Sequence, residues 1–173
     1  METNMSKGKI LIVEDQRLLW IPIQSALEAR EYEVHWATSA TEALLVLHKY
    51  KFKFDVMILD LMVPLRNVGE NTLFPKGGDS RRGGLILYEA IKAEAKEGIP
   101  TIIITVVTDP EIRRAANGFA HQIFTKPFSL KELLEAIERV SQSNKIYHQL
   151  KEKNGKAAKQ KASKKSSRGG KAR

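Results

Sequence analysis

Asp55-Val56-Met57-Ile58-Leu59-Asp60-Leu61-Met62-Val63-Pro64 carries an unbroken apolar run straight into a carboxylate and closes four residues later on a proline. A run so short and so apolar, with β-branched Val56 and Ile58 in it, reads as a strand buried on both faces. Such strands belong to parallel sheets covered by helices. Asp60 then falls at the carboxyl end of that strand, where open α/β sheets place their ligands. Taken alone, the same aspartate also reads as a turn or helix-capping residue after a core strand.

Composition narrows the field. The chain has 173 residues, 42% of them hydrophobic, enough for one ordinary domain and an appendage. There is no cysteine, which excludes disulfides and thiolate metal sites. No apolar run approaches the ~20 residues that span a bilayer, and Met1 to Lys9 lacks the apolar core of a secretory signal. The expectation is a soluble, cytoplasmic protein. The net charge of +9 is unevenly placed: residues 145–173 hold eleven Lys/Arg and one acid, Glu152, whereas residues 1–144 hold 18 basic and 19 acidic groups. Inferences about anionic partners therefore apply to the tail and not to the body.

Taken in order, residues 1–8 are a short lead. Lys9 to Glu14 forms a second short apolar run, and it ends in Glu14-Asp15. Arg17 to Arg30 has helical spacing, with Leu18, Leu19, Ile23, Ala26 and Leu27 on one side. Pro22 interrupts it. Either the helix is kinked near Trp20, or it starts late enough for Pro22 to fall in its first turn. Tyr32 to Trp36 is an edge strand. Ser39-Ala40-Thr41-Glu42 has the form of a capping box, and the helix that follows carries Ala43, Leu44 and Leu47 to near Tyr50.

After Pro64 the periodicity fails. Leu65 to Gly84 holds five glycines, a proline, two asparagines, Arg66, Lys76, Arg81 and Arg82, and reads as a long loop. Structureless loops beyond ~12–15 residues are uncommon inside compact domains and are often functional; a tolerated surface insertion is the plain alternative. Leu85 to Ala95 resumes as a helix, and Ile99 to Thr105 is another buried strand, ending in a hydroxyl. Asp109-Pro110-Glu111 opens a short helix that Gly118 closes. Gln122 to Thr125 leads into Lys126-Pro127-Phe128, and Ser129 to Glu132 is a second capping box. The final helix uses Leu130, Leu133, Leu134, Ile137 and Val140, then Tyr147 and Leu150. It is expected to extend over 143–154, with Asn154-Gly155 as its stop. Residues 155–173 hold no apolar side chain larger than alanine and are expected to be a disordered basic tail.

Strand–helix, five times over, implies an α/β fold: a parallel sheet with helices on both faces and right-handed crossovers. With strand order 2-1-3-4-5 the strand ends bring Glu14, Asp15, Asp60, Thr105 and Lys126 to one edge, with the switch point between strands 1 and 3. Clustered carboxylates repel, and a hard divalent cation such as Mg²⁺ resolves that repulsion with oxygen ligands and retained waters. A nucleophilic carboxylate beside such a cation, a lysine and a hydroxyl makes a phosphoryl-transfer site.

Residues 9–142 resemble the receiver domain of two-component response regulators. The motifs that carry the resemblance are Glu14-Asp15, Asp60 with Pro64 four residues on, Thr105 at a strand end, and Lys126-Pro127-Phe128. The resemblance implies a (βα)5 flavodoxin-like sandwich that accepts phosphoryl from a sensor histidine kinase or phosphotransfer protein. By position, Asp60 is the phospho-acceptor. Asp15, Asp60 and the Met62 carbonyl hold Mg²⁺, with Glu14 reaching it through a water. Thr105 and Lys126 bind phosphoryl oxygens, and the Lys126–Pro127 bond is cis. The family is not a class of turnover enzymes on other substrates. Two positions depart from its pattern: Ile123 stands where the family has its switch aromatic, and Val106 replaces a small residue after Thr105.

No second folded domain is legible after the receiver, so the expectation is a stand-alone response regulator signalling through an unidentified downstream partner. Two alternatives stay open: a phosphorylation-independent interaction module, and a nucleic-acid-associated protein acting weakly and non-specifically through tail 155–173.

Overall fold

The computed structural model describes residues 6–66, 74, 80–95 and 97–168, and for 80 and 157–168 the backbone alone. The strands are β1 (Gly8–Val13), β2 (Tyr32–Ala37), β3 (Val56–Leu59), β4 (Thr101–Thr105) and β5 (Gln122–Thr125). The helices are α1 (Arg17–Glu28), α2 (Ala40–Lys49), α3 (Gly83–Glu94), α4 (Pro110–Asn117) and α5 (Leu130–Arg168), with a 3₁₀ turn at Ser80–Arg82 leading into α3. All strand pairs are parallel and their order is β2-β1-β3-β4-β5. This is the flavodoxin-like order that the family resemblance implies. The chain divides into two compact units, Met1–Ser141 and Gln142–Arg173.

The apolar run 56–59 forms the central strand because neither of its faces meets water: Val56, Met57, Ile58 and Leu59 are all fully buried. Each such side chain contributes about 1.5–3 kcal/mol through burial. Alternation along the strands splits them between two layers. Ile10, Ile12, Val56, Ile58, Ile102, Ile104 and Phe124 face α1 and α5, meeting Trp20, Ile23, Leu27, Leu133, Leu134 and Ile137. Leu11, Val13, Met57 and Leu59 face the other way, onto α2 and α3 through Ala43, Leu44, Leu47, Leu87 and Ile91. A third cluster joins Leu61, Leu85 and Ile103 to Ile112 and Ala116 of α4.

Four readings of the sequence need correction. First, Leu18 is 88% exposed. The stripe that α1 buries is Trp20, Ile23 and Leu27, the 3- and 4-residue spacing of one helical face, from which Leu18 is turned away. Second, of the two readings left open for Pro22 the late start is excluded: α1 begins at Arg17, so Pro22 lies in its interior, at an exposed position. Third, α3 begins at Gly83 rather than Leu85.

The fourth concerns the C-terminal segment. The helix does not stop at Asn154-Gly155; it continues to Arg168, so the described part of the tail expected to be disordered is helical. One glycine costs a helix about 1 kcal/mol, and the Lys, Ala, Gln and Arg around it are strong helix formers that offset this. Within the second unit Ile146, Tyr147 and Leu150 are each more than half exposed. Among the described residues no helix is long and apolar enough to cross a membrane.

Both capping serines make the forward bond of a capping box, and in the first the return arm is displaced by one residue. Ser39 Oγ accepts from Glu42 N at 3.2 Å, but Glu42 Oε2 accepts from Thr38 N at 2.8 Å and Thr38 Oγ1 at 2.7 Å, one residue before the cap. Ser129 Oγ accepts from Glu132 N at 3.4 Å. Of the long loop, 67–73 and 75–79 lie outside the described residues. Phe74 is buried in the α2–α3 layer, an anchor that the glycine-rich sequence around it conceals.

Candidate functional site

Register brings the strand ends to one edge. Val13 pairs with Leu59 and with Ala37, so β1 and β3 finish level. Asp60 N donates to Val13 O at 2.9 Å and Glu14 N donates to Ala37 O at 3.0 Å, which carries the ladder one residue past each strand and fixes both acids. Thr105 pairs with Thr125, and Lys126 N donates to Thr105 O at 2.9 Å. The backbone ladder thereby holds four chain segments side by side.

The side chains converge on one ammonium. Lys126 Nζ donates to Glu14 Oε2 at 2.5 Å and to Asp60 Oδ2 at 2.7 Å. Glu14 is fully buried and Asp60 2% exposed. The second oxygen of each acid meets a backbone amide: Glu14 Oε1 accepts from Gln16 N at 3.1 Å, and Asp60 Oδ1 accepts from Met62 N at 3.0 Å. Trp36 Nε1 donates to Glu14 O at 2.8 Å, pinning the end of β1 from the edge strand. Burial pushes the Glu14 carboxyl up, and the Asp60 charge adds to this, against the pull of Lys126. Burial works against the Lys126 charge, but the hydrogen bonds it donates to Asp60 and Glu14 outweigh this and hold the ammonium above the usual lysine range.

The other expected residues sit around this pair. Asp15 is exposed beside Glu14, and Met62 is partly exposed. Thr105 is fully buried, with Oγ1 accepting from Val107 N at 3.1 Å. The Lys126–Pro127 bond is cis. Ile123 packs against the α4 cluster, whereas Phe124 faces the opposite layer, so the two cannot exchange roles. Tyr88 and Phe119 stack at 3.5 Å on the α3–α4 side. Val106 is 52% exposed and points out of the core.

Two features escaped the sequence reading. Gly83 and Gly84 open α3 flush against the backbone that follows Asp60. A Cβ at Gly84 would lie 2.5 Å from Asp60 O, and one at Gly83 would lie 1.9 Å from Val63 O. Gly84 N also donates to Leu61 O at 2.9 Å. The doubled glycine after a loop was the available signal. Arg113 of α4 bridges Val107 O and Thr125 Oγ1, both at 3.2 Å, and ties the β4–α4 turn to the end of β5.

The donors at this edge suit a hard divalent cation. Glu14, Asp15 and Asp60 set three carboxylates against one ammonium, leaving negative charge uncompensated, and every candidate ligand is an oxygen. Among the described residues no three metal-ligating side chains converge on a point. Mg²⁺ does not require such convergence, since it keeps several waters and takes one or two carboxylates.

Comparison with known proteins agrees with the motifs. No protein-family model matches the chain. The response regulator RppA of Synechocystis is 26% identical over 127 residues, 73% of this chain and 47% of that protein. The non-phosphorylated HemR receiver domain of Leptospira biflexa is 30% identical with a TM-score of 0.61, covering 78% of this chain and 94% of that one. This chain belongs to the response regulator receiver family. A response regulator receiver domain protein of Clostridium thermocellum is 25% identical, with a TM-score of 0.63 over 81% of this receiver and 98% of that chain. The transcriptional regulatory protein KdpE of Staphylococcus aureus is 29% identical over 145 residues, 80% of this chain and 53% of that protein. The receiver spans about half the length of the curated relatives it matches.

Proposed function

We propose that this receiver accepts a phosphoryl group on Asp60 from a phosphohistidine of a sensor histidine kinase or phosphotransfer protein, and signals by binding a downstream partner. One observation carries the reading: the Lys126 ammonium held between the Glu14 and Asp60 carboxylates at the carboxyl edge of the sheet. In the transfer, an Asp60 carboxylate oxygen attacks phosphorus, the bond from phosphorus to the donor nitrogen breaks, and the imidazole leaves with that electron pair. Lys126 moves its charge from the carboxylates to an oxygen of the arriving group, and the Thr105 hydroxyl, next to the exposed Val106, donates to another. Mg²⁺, when bound, neutralises charge on the transferring group; Asp15, Asp60 and the Met62 carbonyl are the residues that would hold it, with Glu14 reaching it through a water. The protein acts on its own aspartate and is not a turnover enzyme on other substrates.

The test is incubation with acetyl phosphate and Mg²⁺ followed by intact mass measurement. A gain of about 80 Da, one phosphoryl group, that disappears in Asp60→Ala supports the reading. No gain, or a gain that persists in the variant, favours a phosphorylation-independent interaction module.

Charge favours a second activity. Residues 145–173 hold eleven Lys/Arg against Glu152, on a helix that runs to Arg168. Past Leu150 the segment has no large apolar side chain with which to enter lipid and no aromatic on which to stack bases. Double-stranded nucleic acid, bound through counterion release without sequence preference, is the polyanion it suits. Removing residues 155–173 should weaken duplex binding and flatten its salt dependence; equal binding by both forms would exclude the role.

A further inference from the structure

Thr105 and Lys126, the groups assigned to the phosphoryl oxygens, stand at the ends of the paired strands β4 and β5. One guanidinium spans the segments beside them. Arg113 Nη1 donates to Val107 O, two residues past Thr105, and to Thr125 Oγ1, immediately before Lys126, both at 3.2 Å. Val107 N in turn donates to Thr105 Oγ1 at 3.1 Å, and Lys126 N donates to Thr105 O at 2.9 Å. A closed circuit of bonds therefore runs from Arg113 through Val107 and Thr105 to Lys126 and Thr125, and back.

We propose that Arg113 is a positioning residue for the transfer, holding the Thr105 hydroxyl and the Lys126 ammonium in one fixed relation; the inference rests on Asp60 being the phospho-acceptor. The helix that carries Arg113 does not need these bonds to stay in place. Ile112 and Ala116 are buried against Leu61, Leu85 and Ile103, and Asp109 Oδ1 caps α4 by accepting from Glu111 N at 2.9 Å and Ile112 N at 3.2 Å. Thr125 is exposed and Arg113 half-buried, so water competes for the same groups and the bonds add little to stability. What they do fix is Val107. With its N–H held by Thr105 Oγ1 and its carbonyl by Arg113, the turn after β4 cannot drift, and the Thr105 hydroxyl keeps one lone pair engaged and its proton to donate to an arriving oxygen. A guanidinium suits the task because it stays charged at any physiological pH and carries its donors in a rigid plane.

Arg113 touches none of the bonds that form or break. It acts through Thr105 and Lys126, so its effect belongs to the rate of transfer once the donor is bound. Affinity for Mg²⁺ is set elsewhere, by carboxylates that follow β1 and β3.

The experiment measures phosphoryl gain by intact mass against acetyl phosphate concentration, with Mg²⁺ affinity read from tryptophan emission. The full chain is compared with Arg113→Met, Thr125→Val, Thr125→Ser and the double variant Arg113→Met/Thr125→Val. Arg113→Met should lower the limiting rate about ten- to a hundredfold, the range for a misplaced donor, and leave half-saturation and Mg²⁺ affinity within about twofold of the parent. Thr125→Val should lower the rate in the same direction and Thr125→Ser should restore it. The double variant should fall no further than Arg113→Met, since both changes cut one linkage. An unchanged limiting rate in Arg113→Met overturns the proposal. So does an equal loss of Mg²⁺ affinity, which would mark general distortion of the sheet edge, or a further fall in the double variant, which would show the two residues acting apart. Absence of any phosphoryl gain in the unaltered chain would instead remove the acceptor reading, and the proposal with it.

Discussion

Lys126 Nζ lies 2.7 Å from Asp60 Oδ2 and 2.5 Å from Glu14 Oε2, so one buried ammonium holds two buried carboxylates from strands that are neighbours in the sheet. Three charges withdrawn from water are costly, and their mutual attraction is what makes the arrangement tolerable. Lys126→Met leaves Glu14 and Asp60 facing each other unpaired. The variant should lose about 3–5 kcal/mol in urea unfolding, the usual cost of breaking a buried pair from one side. Millimolar Mg²⁺ should restore part of that loss if the acids form the cation site. A loss unaffected by Mg²⁺ would separate the ion pair from metal binding.

Trp36 reports on the same edge, because its indole N–H donates to the Glu14 carbonyl at 2.8 Å. Adding Mg²⁺ should change tryptophan emission saturably. Asp15→Asn, which removes an exposed carboxylate without disturbing the Lys126 pair, should weaken that response by about tenfold or more. An unaltered titration in Asp15→Asn would exclude it as a ligand.

Gly84→Ala sets a Cβ 2.5 Å from Asp60 O, where the obstacle is backbone and cannot swing aside. It should cost about 2 kcal/mol or more, in the upper range for overpacking. Gly155→Ala meets nothing within 4 Å and lies in a helix. It should raise far-ultraviolet helicity and stabilise that segment by about 0.5–1 kcal/mol. Circular dichroism and urea midpoints of the two variants check both signs.

Glu33 is held below the usual carboxylate range by Lys9 first and then by His35, which both hydrogen-bond its carboxylate. A carboxyl lowered on folding stabilises the native state above its unfolded pKa, and that contribution is lost as pH falls through the folded value. The deficit of Glu33→Gln relative to the parent should therefore be largest near neutrality, shrink as pH falls below the ordinary glutamate range, and vanish once the folded-state carboxyl is itself protonated. Because this acid is well exposed, the effect should stay below about 1 kcal/mol. A deficit that grows on acidification would contradict the assignment.

The central strands and the motif residues were legible because their signals are local. Val56 to Leu59 is apolar on both faces, and Glu14, Asp60, Thr105 and Lys126 each close a strand. What eluded the sequence depends on contacts between distant segments. The Gly83–Gly84 wedge is set by backbone that arrives from Asp60 and Val63. Phe74 reads as part of a polar loop until a core is present to receive it. Leu18 misled because hydrophobicity alone does not show which of two overlapping apolar stripes on α1 faces the sheet. The helix past Gly155 was missed by treating one glycine as a stop, when the alanines and lysines beyond it propagate the helix.

The most direct test is to identify the residue that carries the phosphoryl group. After reaction with acetyl phosphate and Mg²⁺, borohydride reduces an aspartyl phosphate to homoserine, which marks the residue permanently for peptide mass spectrometry. The account predicts homoserine at position 60, lost when Mg²⁺ is removed or Lys126 is replaced. Homoserine at Asp15, or an unmodified Asp60 in a chain that has gained phosphoryl, would contradict it.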